Sequence, residues 1–199
     1  MSAEPLILSR GLQVHEIDSS VAFTDSDCLD YCALITTDQK KYKTPRKLIQ
    51  ASEVIRDILL ENEGIGVEVP VNTDSVVLEL IFEFLQHHEN EPMATLSKPL
   101  KKKLKDVVGE WYYTFCTEKL LKNGNGLGHS ILFKVLHASS ELLIIPLREL
   151  CSAFVASIII GKTDEDVRNL LCIDAPLTPD DEKTLYEKYP WLCEKKQKV

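Results

Sequence analysis

The chain has 199 residues, is 44% hydrophobic and 27% charged, and carries a formal net charge of −8, which is enough for one sizeable domain, or a compact domain with an appendage, around a real core. The acidic balance argues against nucleic acid as a partner, because neutralising phosphates needs a basic face. No run of about eighteen uncharged apolar residues occurs, so no membrane span is expected, and the start MSAEPLILSRGLQVHEIDSS has no basic segment leading into a long apolar stretch, so no secretory signal is expected.

Residues 1–30 are polar and acidic without a sustained period, and are expected to form a largely disordered extension. From Tyr31 the texture changes. YCALITTD and KYKT read as two short strands joined at Asp38-Gln39-Lys40 into a β-hairpin. Ser52 fits a helix N-cap, with Val54, Ile55, Ile58 and Leu59 following at helical spacing and Gly64 and Gly66 beyond the end. VEVPV (67–71) is a third strand, whose Pro70 points to a sheet edge.

Residues 74–88 predict a strongly apolar helix capped by Asp74, with Val77, Leu78, Ile81, Phe82 and Leu85 as its buried stripe. Lys98 and the run KKKLK (101–105) form the one basic cluster and are expected to be a solvated loop. EWYYTFCTEKLL is a short helix broken by the glycines of KNGNGLGH. Two apolar helices follow, over 130–143 and 146–160, the second with Pro146 in its first turn.

The stretch IIIGKTDEDVRNLL ends in a way that superficially suits a phosphate-binding loop. That motif needs glycine where Ala156 stands, however, so Gly161-Lys162-Thr163 is expected to end one helix and cap the next. Asp164, Glu165 and Asp166 then lie where the helix dipole favours acids. Thr178-Pro179-Asp180-Asp181 repeats the device. The two closing helices carry narrow apolar stripes, Val167, Leu170 and Leu171 in one and Leu185, Tyr189 and Leu192 in the other. Helices this short are marginal alone in water, so they must pack on the preceding domain or on another protein.

Chemistry-bearing residues are sparse. His87 and His88 are neighbours on a helix and point about 100° apart, so they cannot grip one metal as an i, i+4 pair does. His137 lies among apolar residues and is expected to be a core histidine. The six cysteines are scattered; Cys28 and Cys32 form the only close pair, without a second pair to complete a zinc site, and reduced thiols of a cytosolic or nuclear protein are the reading. No catalytic motif is present, and neither an enzyme, a cofactor nor a metal is expected.

The string GKTDEDVRNLLCIDAPLTPDDEKTLYEKYPWLCEK resembles the C-terminal segment of the S-phase-kinase-associated (Skp) adaptors of SCF ubiquitin ligases, which carry a G-K-T-x-E-E-I-R run, a T-P-E-E helix start and a Trp-Cys-Glu ending. FEFLQHHENEP, EWYYTF and LFKVLHAS resemble upstream elements of the same family, in the correct order, so that the likeness spans Tyr31 to Lys196. It implies an α+β protein: a BTB/POZ domain with a small three-stranded sheet and clustered helices over 31–160, and a helical extension over 161–199. It also implies a non-catalytic adaptor, cytoplasmic and nuclear, that binds an F-box protein through Leu170, Leu171, Ile173, Leu185, Tyr186, Tyr189, Trp191 and Cys193 and links it to a cullin. Ser140, Glu141 and Phe115 fall at cullin-facing positions, where the family carries Asn-Tyr in place of Ser140-Glu141. The lost aromatic anchor and added charge favour an alternative, a cullin-free scaffold for an F-box-like partner in a structural assembly such as a kinetochore. An elongin-C-like adaptor fits less well, because it would end before the C-terminal extension. Pro179 matches a proline that some protist members hydroxylate and glycosylate.

Overall fold

The computed structural model describes residues 14–18, 30–62, 66–100, 102–121, 130–173 and 178–191. The hairpin forms as its sequence predicts: β2 (Tyr31–Ile35) pairs antiparallel with β3 (Lys41–Pro45). Its turn is closed by Thr36 N–H donating to the Lys40 carbonyl at 3.0 Å, with Gln39 left-handed at φ 64°. β4 (Glu68–Pro70) pairs parallel with β2 and lies at the sheet edge. Val71 N–H donates to the Ile35 carbonyl at 2.8 Å, so the alternate position, Pro70, is the one whose missing N–H leaves the ladder whole.

The N-terminal extension departs from its expected disorder. Within it, β1 (His15–Ile17) pairs antiparallel with β3, and Val14 is 1% exposed in the core. The sheet of the described residues therefore has four strands, ordered β1-β3-β2-β4, rather than three. A three-residue strand has too little period to be read locally; the long edge of β3 and the burial of Val14 hold it. Residues 1–13 and 19–29 lie outside the described segments.

Helices cover the sheet. α1 (Arg46–Ile49) follows β3 directly. α2 (Glu53–Glu61) starts at Ser52, whose hydroxyl accepts from Ile55 N–H and donates to the Leu142 carbonyl at 2.5 Å. α3 (Ser75–Asn90) is capped by Asp74, as predicted. Its predicted stripe is buried, and Phe84 with it, so α3 is enclosed on more than one face. Fully burying a side chain of this size is worth roughly 1.5–3 kcal/mol, which makes α3 the centre of the core.

The basic cluster is not a loop throughout. Leu104, 3% exposed, opens α4 (Leu104–Val108), while Lys102, Lys103 and Lys105 stay exposed. Gly109, at φ 87°, turns the chain into α5 (Glu110–Thr114), a conformation that favours glycine. α5 continues as a π-helical segment, Phe115–Leu120. α6 (Leu132–Glu141) ends in paired bonds, Ile144 N–H to the Ser139 carbonyl and Leu143 N–H to the Ser140 carbonyl, with Leu143 left-handed at φ 49°. α7 (Ile145–Ile159) carries Pro146 in its first turn and buries Leu147, Leu150, Cys151 and Phe154.

Candidate partner-binding site

Beyond α7 the character of the chain changes. Gly161, at φ 76°, ends that helix, and α8 (Asp164–Leu171) begins at Thr163 with a reciprocal cap. The Thr163 hydroxyl accepts from Asp166 N–H at 3.2 Å, and the Asp166 carboxylate accepts from Thr163 N–H at 3.3 Å. Thr178 and Asp181 build the same box for α9 (Pro179–Lys188), with Pro179 at its first position. Hydrogen bonds from the threonines hold both aspartates below their ordinary value. Each box satisfies N–H groups that a short helix leaves open, and supplies local stability where packing is thin.

Neither α8 nor α9 contains a buried residue. Leu170 and Leu171 are half-buried and touch the edge of the core, so these two predicted contact residues pack partly on the chain itself. Leu185 and Tyr186 are half-buried. Ile173, Tyr189 and Trp191 are 48%, 38% and 58% exposed, and the last two rings meet edge to face at 6.4 Å. Cys193 lies outside the described residues. α8 ends with Cys172 left-handed and Ile173 N–H donating back to the Arg168 carbonyl at 2.9 Å, which sets Ile173 at the end of the apolar stripe. The C-terminal ends of two capped helices thus offer large apolar side chains to solvent, an arrangement suited to covering by a partner.

The second predicted surface divides. Glu141 is exposed, accepts from Asn72 Nδ2 at 3.3 Å and pairs with His137 at 3.5 Å. Ser140 Oγ donates to the Leu136 carbonyl. Phe115, expected alongside them, is 2% exposed and stacks on Trp111 at 5.2 Å. It belongs to the core, because the aromatic W-x-x-x-F pair closes on itself. His137 is corrected in the opposite sense: its side chain is 67% exposed and reaches Glu141 rather than the core.

The histidine pair is structural. His87 stacks on Trp111 at 3.8 Å, and His88 stacks on Phe84 at 5.3 Å while its Nδ1 accepts from Met93 N–H at 3.2 Å. The Tyr112 hydroxyl lies 3.0 Å from the same nitrogen and donates to the Glu91 carbonyl at 2.6 Å. Burial pushes the Cys32 thiol up to about 11 and Cys151 to about 12, and raises Cys116 as well, so these thiols are protonated and unreactive at neutral pH. Among the described residues no group of three or more His, Cys, Asp or Glu side chains is placed to hold a metal ion.

Comparison with known proteins matches both halves of this architecture. The Skp1 family dimerisation domain matches residues 146–192 and the Skp1 family tetramerisation domain matches residues 30–90. A Skp1-related protein of Caenorhabditis elegans is 28% identical over 166 residues, covering 80% of this chain and 89% of the relative. The suppressor of kinetochore protein 1 of Schizosaccharomyces pombe is 27% identical, covering 79% and 94%. The SCF ubiquitin ligase complex protein SKP1b of Dictyostelium discoideum is 24% identical, covering 82% and 95%. A POZ-type α+β domain is followed by the helical extension, the two family domains match in order over more than half of the sequence, and the chain belongs to the Skp1 family as a divergent member.

Proposed function

We propose that the chain is a non-catalytic adaptor of an SCF-type ubiquitin ligase, holding an F-box protein through α8 and α9 and presenting it to a cullin. The observation that carries this reading is the exposure of Ile173, Tyr189 and Trp191 just past the ends of α8 and α9, two helices that contain no fully buried residue. Relatives named as SCF subunits support it, among them SKP1b of Dictyostelium discoideum and the sconC subunit of Talaromyces stipitatus. They make the kinetochore scaffold the less favoured alternative. The adaptor acts by position, with the ligation chemistry supplied by other subunits in the cytoplasm and nucleus.

On this reading the F-box face comprises Ile173, Leu185, Tyr186, Tyr189, Trp191 and Cys193, and Leu170 and Leu171 with whatever area the core leaves free. Ser140 and Glu141 are the cullin-facing pair, and Pro179, exposed at the start of α9, is the candidate for hydroxylation and glycosylation. The test compares the full chain with a truncation after Gly161, each co-expressed with an F-box protein. A folded truncation that no longer retains the F-box protein is the expected result; retained affinity would overturn the assignment of α8 and α9. Quantitative mass spectrometry of the native complex should recover a cullin with several F-box proteins. One dominant structural partner without a cullin would favour the scaffold.

A further inference from the structure

The last turn of α3 holds a nitrogen with two competing neighbours. His88 Nδ1 lies 3.2 Å from the backbone nitrogen of Met93 and 3.0 Å from the Tyr112 hydroxyl oxygen. A backbone N–H can only donate, so Nδ1 accepts from Met93 and the neutral ring carries its proton on Nε2. The Tyr112 proton is committed elsewhere, since its hydroxyl donates to the Glu91 carbonyl at 2.6 Å. The Tyr112 oxygen therefore turns a lone pair towards Nδ1. Met93 suits the neutral ring, and Tyr112 suits the protonated one.

What depends on this nitrogen is the start of the connection from α3 to α4. Glu91, Pro92, Ala94 and Thr95 are exposed, and within 91–95 Met93 alone is half-buried, packed against the core. Leu96, 7% exposed, is the next anchor. Protonation makes Nδ1 a donor, which engages the Tyr112 oxygen and leaves Met93 N–H facing another N–H. Glu91 stays tied in both states, through Tyr112 at its carbonyl and through its own N–H to the His87 carbonyl at 2.8 Å. The length set free is therefore 92–95, hinged at Glu91 and Leu96.

We infer that His88 is a proton-operated latch, which when neutral holds Met93 and when protonated exchanges Met93 for Tyr112 and releases residues 92–95. The charges around the ring set its direction. On α3, His87 opposes a second positive charge, while Glu89 favours one but already pairs with Lys47 of α1 at 2.8 Å. Glu91 faces His87, 3.9 Å from its Nε2. On α5, burial and then the Glu91 carboxylate push the Tyr112 hydroxyl up to about 12, so it stays protonated. Phe84 stacks on the His88 ring at 5.3 Å and brings no charge. Burial acts against charging the ring, so the latch is closed at neutral pH and opens in weak acid.

The test is NMR of the isotope-labelled full chain, titrated from about pH 7.5 to about pH 5. At the start, the imidazole resonances should identify Nδ1 of His88 as the unprotonated nitrogen. As His88 titrates, amide exchange at Met93, corrected for its intrinsic pH dependence, should lose at least about tenfold of its protection. Leu78 and Ile81, in the core of α3, should keep theirs. His88→Asn, whose side-chain oxygen can replace Nδ1 as acceptor but does not titrate, should keep Met93 protected throughout. Tyr112→Phe removes the acceptor that suits the protonated ring, so the His88 midpoint should move to lower pH. A proton on Nδ1 at neutral pH, a Met93 amide unprotected at the start, or protection unchanged down to about pH 5 would overturn the inference. So would a transition that survives His88→Asn, or loss of protection at Leu78 and Ile81 together with Met93, which would be unfolding of the whole domain. If either variant does not fold, the tautomer and the Met93 exchange of the unaltered chain decide.

Discussion

The carboxylate of Asp38, in the β2–β3 turn, accepts hydrogen bonds from both the backbone N–H of Ser75 at 3.0 Å and its hydroxyl at 2.6 Å. Ser75 is the first residue of α3, whose N–H groups have no partner within the helix. The turn of the hairpin thus caps the central helix from outside, beside the cap that Asp74 supplies from within.

These bonds, with Ser75 first and the Thr36 hydroxyl next, hold the Asp38 carboxyl down at about 2. A carboxylate depressed in the folded chain contributes stability that is complete above its unfolded value, near 3.8, and is lost as pH falls through about 2. Asp38→Asn should therefore lower the urea midpoint at pH 7, and the deficit should shrink as pH falls from about 4 towards 2. A deficit that stays constant across that window would show that Asp38 acts without its charge.

His87 and His88 work in the opposite chemical sense and the same pH direction. Burial lowers both, and the neighbouring His87 lowers His88 further. The folded chain binds fewer protons than the unfolded chain in weak acid. This contribution is complete above the ordinary histidine value of 6.5 and is lost as pH falls through the folded-state values. In a Trp191→Phe variant, Trp111 is the remaining tryptophan, and protonation of the stacked His87 should quench its emission. The midpoint should lie below 6.5; one at or above it would contradict the packing of the pair.

Ser52 joins two elements far apart in sequence, capping α2 and donating to the carbonyl that follows α6. Ser52→Ala removes the cap and leaves the buried Leu142 carbonyl without this donor. The expected loss is about 1–3 kcal/mol in equilibrium urea unfolding. A loss under about 0.5 kcal/mol would mean that another donor reaches Leu142.

Tyr189→Ala and Trp191→Ala should each weaken F-box binding by about 1.5–3 kcal/mol, roughly ten- to a hundredfold in Kd, without moving the Tm of the free chain. Leu170→Ala should both weaken F-box binding and lower the Tm, because its side chain also touches the core. Isothermal titration calorimetry and thermal unfolding separate the two classes. An unchanged Kd for Trp191→Ala would remove that ring from the interface.

Helix starts were the most legible features in the sequence. Ser52, Asp74, Thr163 and Thr178 all cap the helices they were expected to cap, because the cap is a local bond between residues three apart. β1 was hidden because only its pairing with β3, some twenty-five residues away, makes it a strand. Leu104 was hidden among lysines, whose charge dominates the local reading although Leu104 and Val108 together seat α4. Phe115 was misplaced because a W-x-x-x-F spacing does not say whether its face looks inward or outward. The C-terminal stripes were legible as apolar, but only the fold distinguishes Leu170 and Leu171, which reach the core, from Tyr189 and Trp191, which remain exposed.

The sheet order β1-β3-β2-β4 also governs how these molecules meet one another. A central hairpin alone would leave both outer strands with open rows of N–H and C=O groups, a template on which further chains could pair. Here three residues from the N-terminal region occupy one flank, and a three-residue strand ending in Pro70 occupies the other. Both flanks are therefore short, and one ends in a residue that cannot extend the ladder as a donor. The adaptor can present short helices with exposed apolar side chains to its partners at high concentration while the described strands of its sheet offer little for fibre growth.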